Sequence, residues 1–128
     1  MTNTFAKPLL LIPLLSGCIT GNNYPEKFAT SLCETAFTCL DSGDIEFITG
    51  YDNQDECIVD LTAEIQTSTT YDEYEEGTRS FNKDAANLCF TEIIEVQGDS
   101  DCDGSMNAWS FFTDIQSNAC DDVFPTVE

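Results

Sequence analysis

The chain of 128 residues contains no histidine and only four basic residues, against 24 acidic ones. Without histidine, a Ser-His or Cys-His pair that activates a nucleophile is excluded, and a zinc site would need thiolates or carboxylates alone. The net charge of −20 excludes nucleic acid as a partner, because phosphate binding requires a basic surface. With so many carboxylates, no particular pair indicates acid–base catalysis. We therefore expect a protein that is not an enzyme.

Long apolar runs are also missing. The run PLLLIPLL at residues 8–15 is shorter than the roughly 20 apolar residues of a membrane-spanning helix. It follows Lys7 and ends in Leu15-Ser16-Gly17-Cys18, which resembles the lipobox of bacterial lipoproteins. The resemblance implies a signal peptide over residues 1–17, a diacylglycerol thioether on the Cys18 sulfur and a fatty acid such as palmitate on its amine. The alternative is an ordinary secretory signal, with Cys18 as a structural cysteine.

The proposed cleavage determines the expected localisation and the net charge of the mature chain. Two or more acyl chains anchor a protein stably to a membrane. Ile19 follows Cys18, where an Asp would favour retention in the inner membrane, so we expect a lipid-anchored protein of the outer membrane or cell surface. Loss of Lys7 leaves 3 basic and 24 acidic residues, or −21, which repels anionic head groups. The acyl chains, rather than the protein surface, then have to hold the membrane.

Six cysteines remain once Cys18 is assigned to lipid, and none of them forms a C-x-x-C pair. An even number of cysteines in a small exported domain predicts a disulfide framework, here of three bridges. The six are Cys33, Cys39, Cys57, Cys89, Cys102 and Cys120.

Apolar residues recur at helical spacing in four segments. The first helix starts near Pro25, the second at Asn53 with Glu56 as its capping partner, the third runs over roughly 82–96 and the fourth over about 106–120. The residues predicted to be buried are Phe28, Leu32, Cys33, Ala36, Phe37 and Leu40, then Cys57, Ile58, Leu61 and Ile65, then Ala85, Leu88, Cys89 and Ile93, and finally Trp109, Phe112 and Ile115.

The predicted fold is therefore all-α, a small disulfide-stapled bundle of about four helices. Residues 18–23 are interpreted as a polar tether, 24–124 as the cysteine-rich helical domain and 125–128 as a tail. The segment IEFITGY at 45–51 fits either a short strand or a packed loop. The acidic segment TSTTYDEYEEGT at 67–78 lacks an apolar period and predicts a mobile loop.

Helix geometry narrows the disulfide pairing. Cys33 and Cys39 are six residues apart on one helix, so they point about 240° apart and lie about 9 Å apart along its axis. A disulfide needs Cα atoms within about 7 Å, which excludes this pair. Cys102 and Cys120 are excluded in the same way, because they bracket the fourth helix. The predicted bridges are Cys39–Cys57, Cys89–Cys102 and Cys33–Cys120.

A C-x5-C helix that begins near an aromatic residue, followed by DEC, an AANLC helix and two more cysteines, spans most of residues 24–124. This pattern resembles small six-cysteine lipoproteins of myxobacteria and related predatory bacteria. The resemblance implies a lipid-anchored, disulfide-bonded domain. It implies no active site, because no molecular function is assigned to that family.

The loop GDSDCDGSMNAWS at 98–110 has the beginning of a calcium-binding pattern. Asp99, Asp101, Asp103 and Ser105 match the first four ligand positions of an EF-hand-like loop, and Gly104 supplies the sharp turn. Ser110, however, stands where a bidentate carboxylate is required. The loop predicts either weak calcium binding, of the kind found in extracellular modules, or an acidic turn in which Asp103 caps the next helix.

Three tyrosines are the remaining candidates for a binding surface. Tyr51, Tyr71 and Tyr74 either form an exposed patch for a protein or a glycan, or fold back over the bundle. The leading hypothesis is thus a lipid-anchored, non-catalytic envelope or surface module that binds or scaffolds a protein or glycan partner. The alternative is a calcium-dependent adhesion or regulatory module built on the acidic loop.

Overall fold

The fold is all-α, as predicted, in the part of the chain that the computed structural model describes. It describes residues 19–51, 53–100, 102–107, 111 and 118–127, without the side chains of residues 46–49 and 118. Within these ranges there are no strands and no helix long and apolar enough to cross a membrane. Six helices with defined bounds follow one another in the described residues: α1 (Tyr24–Cys39), α2 (Ser42–Thr49), α3 (Gln54–Gln66), α4 (Thr69–Glu76), α5 (Lys83–Gln97) and α6 (Asn118–Asp121).

Helix α1 is the element against which α3 and α5 both pack. Pro25 lies in its first turn, where a missing N–H costs no helical hydrogen bond. Its one fully buried polar side chain, Thr35, donates to the Ser31 carbonyl at 2.8 Å and accepts from the Gln97 amide of α5 at 2.6 Å. The buried hydroxyl is therefore satisfied and also ties the two helices together.

Side-chain caps define where three of the helices begin. The oxygens of Asn53, Ser68 and Asn82 accept hydrogen bonds from the backbone N–H three residues ahead, at 2.8, 3.2 and 3.0 Å. Each bond satisfies one of the N–H groups that a helix leaves unpaired at its start. The predicted cap at Asn53 is thereby confirmed.

Two segments that were not predicted to be helical form α2 and α4. Helix α2 covers part of the 45–51 segment, where a strand or loop was expected. Helix α4 covers most of the segment 67–78, so the predicted mobile loop is wrong. It ends at Gly77, whose φ of +91° gives the left-handed conformation common after a helix. The apolar period was absent because Tyr71 is the only fully buried residue of α4.

The predicted fourth helix, 106–120, does not begin where expected. Met106 is instead paired with Leu40: its N–H donates to the Cys39 carbonyl, and the N–H of Asp41 donates to the Met106 carbonyl, both at 3.0 Å. Helix α6 occupies only the end of the predicted range. Trp109, Phe112 and Ile115, which were predicted to be buried, lie outside the described residues.

Buried side chains form two clusters along α1. One lies at its N-terminal end and the other at its C-terminal end. Leu88, which was predicted to be buried, is 53 % exposed, so the core face of α5 is rotated relative to the prediction. The first cluster includes Ile19, Tyr24, Tyr71, Phe90, Ile93 and Phe124, and the second includes Ala36, Leu40, Val96, Met106 and Phe111.

The three disulfides are Cys33–Cys57, Cys39–Cys102 and Cys89–Cys120. The three predicted bridges, Cys39–Cys57, Cys89–Cys102 and Cys33–Cys120, are therefore wrong. The exclusion of Cys33–Cys39 and Cys102–Cys120 is consistent with the structure. All six cysteines are paired, as the even count predicts.

The error came from pairing cysteines across the shortest connections. Helix α3 returns alongside α1, which brings Cys57 to the middle of α1 at Cys33 rather than to its end. Eight residues of α5 follow Cys89, a rise of about 12 Å, so the loop cannot easily double back to it. Cys102 instead lies at the C-terminal end of α1, bonded to Cys39, and Cys89 meets α6 at Cys120.

We expect non-reducing peptide mapping to recover only these three cross-links. Replacing Cys39 and Cys102 together by Ala should lower the free energy of unfolding by about 4 kcal/mol, because this bridge closes the longest loop, with a sequence separation of 63 residues. Denaturant unfolding of the oxidised protein and the double variant measures the loss. A Cys39–Cys57 or Cys89–Cys102 peptide would contradict the packing of α3 and α5 on α1.

Candidate functional site

The acidic loop after α5 is held at both ends. Cys102 is bonded to Cys39 at the end of α1, and Met106 is only 3 % exposed and paired with Leu40. Gly104 has a φ of +89°, which only glycine adopts without strain. The loop is thus fastened to the C-terminal end of α1 by a covalent bond, a buried side chain and backbone hydrogen bonds.

Within this loop, three of the four predicted calcium ligands lie among the described residues. Asp99, Asp103 and Ser105 are exposed, and Asp101 lies outside the described residues, as does Ser110. No group of three or more potential metal-ligating side chains occurs among the residues that the structure describes.

Asp103 already has partners for its carboxylate. It accepts hydrogen bonds from the Ser105 hydroxyl and, at 3.0 Å, from the Ser105 backbone N–H. These two bonds, the hydroxyl first, hold the pKa of Asp103 below its usual value. Asp103 therefore organises a turn two residues long, as Asp often does. It does not cap a helix at Met106, the start predicted for the fourth helix, because Met106 forms a bridge with Leu40.

We expect calcium titration of the mature chain to give diffuse uptake that disappears as monovalent salt is raised, because exposed carboxylates are screened. Isothermal titration calorimetry makes the measurement, with Asp101→Ala and Asp84→Ala as matched variants inside and outside the loop. The two variants should behave alike. Saturable one-site binding that Asp101→Ala alone abolishes would instead establish a calcium site.

Two of the three candidate tyrosines fold back over the bundle. Tyr71 is 5 % exposed, and its ring meets Phe124 edge-on with centroids 5.8 Å apart. Tyr74 lies against the same Phe124 at 5.0 Å. Tyr51 is half-buried beside acidic residues of α3, including Asp60. For Tyr71 and Tyr74, the alternative that the tyrosines fold back over the bundle is therefore correct.

Residues 19–23, which were interpreted as part of a polar tether, form a packed turn that we call the anchor turn. Ile19 is 4 % exposed and belongs to the first core cluster. The backbone N–H of Thr20 donates to the Asn23 side chain at 2.8 Å, and the N–H of Asn23 donates to the Thr20 hydroxyl at 3.2 Å. This reciprocal pair resembles a capping box and leads directly into α1. Cys18 lies outside the described residues.

Helix α4 clamps the anchor turn from the outside. The Tyr71 hydroxyl donates to the Gly21 carbonyl at 3.2 Å, and the Tyr74 hydroxyl donates to the Asn22 side chain at 3.4 Å. A methyl group added at Gly21 would overlap the hydroxyl end of the Tyr74 ring. Gly21 is therefore required for close approach, and the role of α4 is to cover the turn that follows Cys18.

The C-terminal segment is also fastened, so the predicted tail at 125–128 is wrong for residues 125–127. The N–H of Ser80 donates to the Pro125 carbonyl, and the N–H of Val127 donates to the Thr78 carbonyl, both at 3.0 Å. The guanidinium of Arg79 donates to the Phe124 carbonyl at 2.8 Å and to the Glu73 carboxylate at 2.6 Å. Arg79 thus joins α4 to the C-terminal segment.

An open cleft of about 270 Å³ lies beside these elements, bordered by Tyr24, Tyr71, Phe124 and Asp121. Burial, and then the Asp121 carboxylate, hold the pKa of Tyr24 above its usual value. The Tyr24 ring stacks on Phe28 at 5.5 Å and on Phe90 at 5.7 Å, and Phe124 meets it edge-on at 5.4 Å. We assign no ligand to this cleft, because it is smaller than most small-molecule sites.

Sequence reasoning missed the anchor turn for a definable reason. Its five residues include one apolar side chain, and the tyrosines that cover it lie about 50 positions further along the chain. No local pattern reports such a contact, although Tyr71 and Tyr74 at helical spacing were a signal that α4 has a buried side.

No family model, no curated protein and no solved structure matches this chain.

We expect Gly21→Ala to lower the free energy of unfolding by about 1–3 kcal/mol, the usual cost of overpacking. In a Tyr74→Ala background the same substitution should cost much less, because the overlapping ring is gone. Chemical denaturation of the four proteins of this cycle measures both values. An equal loss in the two backgrounds would show that Tyr74 does not cover Gly21.

Proposed function

We propose that this protein is a lipid-anchored module of the bacterial outer membrane or cell surface, which acts by binding or scaffolding a protein or glycan partner. The signal peptide over 1–17 is removed, and Cys18 becomes the acylated first residue. Membrane attachment then depends on the acyl chains, because the mature surface carries too much negative charge to adhere to anionic head groups.

The observation that supports this proposal is the arrangement of the seven cysteines. Six of them pair in three disulfides, a framework typical of oxidising compartments outside the cytoplasm. The remaining one is Cys18, at the end of the lipobox-like sequence Leu15-Ser16-Gly17-Cys18. An exported protein with an odd seventh cysteine at this position fits a lipoprotein better than an ordinary secreted protein, whose cysteines would be expected in even number.

The side chains with perturbed pKa values do not resemble a general acid or base. The pKa of Tyr24 and that of Tyr71 are raised by burial first and by acidic neighbours second, whereas hydrogen bonds from Ser105 lower the pKa of Asp103. Each shift moves the pKa of the group further from pH 7. A general acid or base works best with a pKa near the operating pH. Catalysis at these groups is therefore disfavoured.

Cys18→Ala should block maturation, so that the uncleaved precursor accumulates and the protein no longer partitions into detergent. Globomycin, which inhibits the lipoprotein signal peptidase, should cause the same accumulation in the unchanged protein. Electrophoretic mobility and Triton X-114 partitioning measure the two effects. Ser100→Ala, an exposed substitution far from the leader in the sequence, serves as the control. A Cys18→Ala protein that still partitions into the detergent phase would contradict lipid anchoring.

A further inference from the structure

The anchor turn leaves almost no slack between the proposed lipid and the folded domain. Ile19 is buried in the first core cluster, and it is covalently next to Cys18. Consecutive Cα atoms are about 3.8 Å apart. A lipid on Cys18 is therefore attached within one residue of the core, rather than through a flexible linker.

We propose that the domain is held on the bilayer in one orientation, with the anchor turn and α4 against the lipid head groups and the acidic loop 98–107 facing away. This inference rests on the proposed acylation of Cys18. The surface around the anchor turn thus contacts the bilayer, because the proposed lipid is attached next to this turn.

The orientation follows from the rigidity of the anchor turn. Its backbone is fixed by the bonds between Thr20 and Asn23, and the N–H of Tyr24 donates to the Thr20 carbonyl at 2.9 Å. Tyr71 and Tyr74 of α4 hold it from the outside. With the turn packed, Ile19 is fixed relative to the helices, and the proposed lipid is attached to the residue next to it.

Helix α1 determines which part of the domain lies furthest from the anchor turn. This helix starts directly after the anchor turn, and its 16 residues extend for about 24 Å before Cys39. The disulfide Cys39–Cys102 fastens the acidic loop at that far end. Asp99 and Asp103 are therefore presented to the surroundings at a distance from the membrane, where a partner can reach them.

Because the surface is acidic, α4 can stay at the head groups only if the connection between the lipid on Cys18 and the folded domain is short. Helix α4 exposes Asp72, Glu75 and Glu76 beside the anchor turn, and these carboxylates gain nothing from phosphate head groups. With a long flexible linker the domain would drift away from the surface. With one residue, the covalent bond keeps α4 at the head groups in spite of the charge.

Quenching of a dye at two positions tests the orientation. The mature chain, which begins at Cys18 and retains every described helix, is coupled through the Cys18 thiol to a maleimide lipid in phosphatidylcholine vesicles. The other six cysteines are held in disulfides and do not compete. A dye is carried by an unnatural amino acid in place of either Glu75 on α4 or Asp99 in the acidic loop, and the quencher is a spin label on lipid head groups.

We expect the dye at Glu75 to be quenched at least threefold more than the dye at Asp99. A Gly-Ser spacer of 12 residues inserted between Cys18 and Ile19, with a typical span of about 19 Å, should abolish the difference. Equal quenching at the two positions without the spacer would overturn the proposed orientation, and so would a difference that survives the spacer.

The coupling supplies the lipid chemically, so this experiment is separate from the test of the proposed function. A Cys18→Ala protein that still partitions into detergent contradicts acylation, and the native orientation proposed here falls with it. If acylation holds and the two dyes are quenched equally, only the orientation is wrong.

Discussion

The packing of α1 against its neighbours is the interaction on which the rest of this structure depends. The helix carries Cys33 and Cys39, each of which bonds to a different part of the chain, and its first residue, Tyr24, lies at the centre of the aromatic cluster. Helices α3 and α5 both pack on it, and Thr35 connects it to Gln97. Without this helix, both core clusters would lose the side chains that α1 contributes, and Cys57 and Cys102 would lose their disulfide partners.

The disulfides matter here because the charge of the chain opposes compaction. A net charge of −20 in 128 residues favours the expanded state through self-repulsion. Cross-links counter this by restricting the unfolded chain, and the bridge from Cys39 to Cys102 has the widest span in sequence. The few cations also act locally: Arg79 joins Glu73 to the C-terminal segment. The acidic surface is thus compatible with a small core.

The two ends of α1 differ in a way that suits an anchored module. The N-terminal end carries the anchor turn, covered by α4, and the C-terminal end carries the acidic loop, fastened by Cys102 and Met106. Both segments contain little regular secondary structure, yet both are held by contacts to residues distant in sequence. Under the proposed function, this fixed arrangement would present a constant surface to a partner, which lowers the entropic cost of binding.

Local signals were sufficient for part of this protein. Asn53 marked the start of α3, since a cap needs only a residue and the N–H three positions ahead of it, and the apolar period gave the approximate start of α5 at Asn82. The apolar period identified α1, and the even cysteine count indicated three bridges. Calcium binding and the lipid on Cys18 remain predictions.

Other features were decided only by tertiary structure. The disulfide partners depend on which helix lies beside α1 and at what height, and no spacing along the chain contains that information. Helix α4 was hidden because its buried side consists of Tyr71 and Tyr74, which pack on Phe124 and on the anchor turn. Ile19 was interpreted as part of a polar tether because its neighbours in the sequence are polar, and it is buried because it packs in the first core cluster with residues distant in sequence. Sequence alone therefore determined the fold class and the number of cross-links, whereas contacts between distant residues decided the disulfide pairing and the packing of the anchor turn.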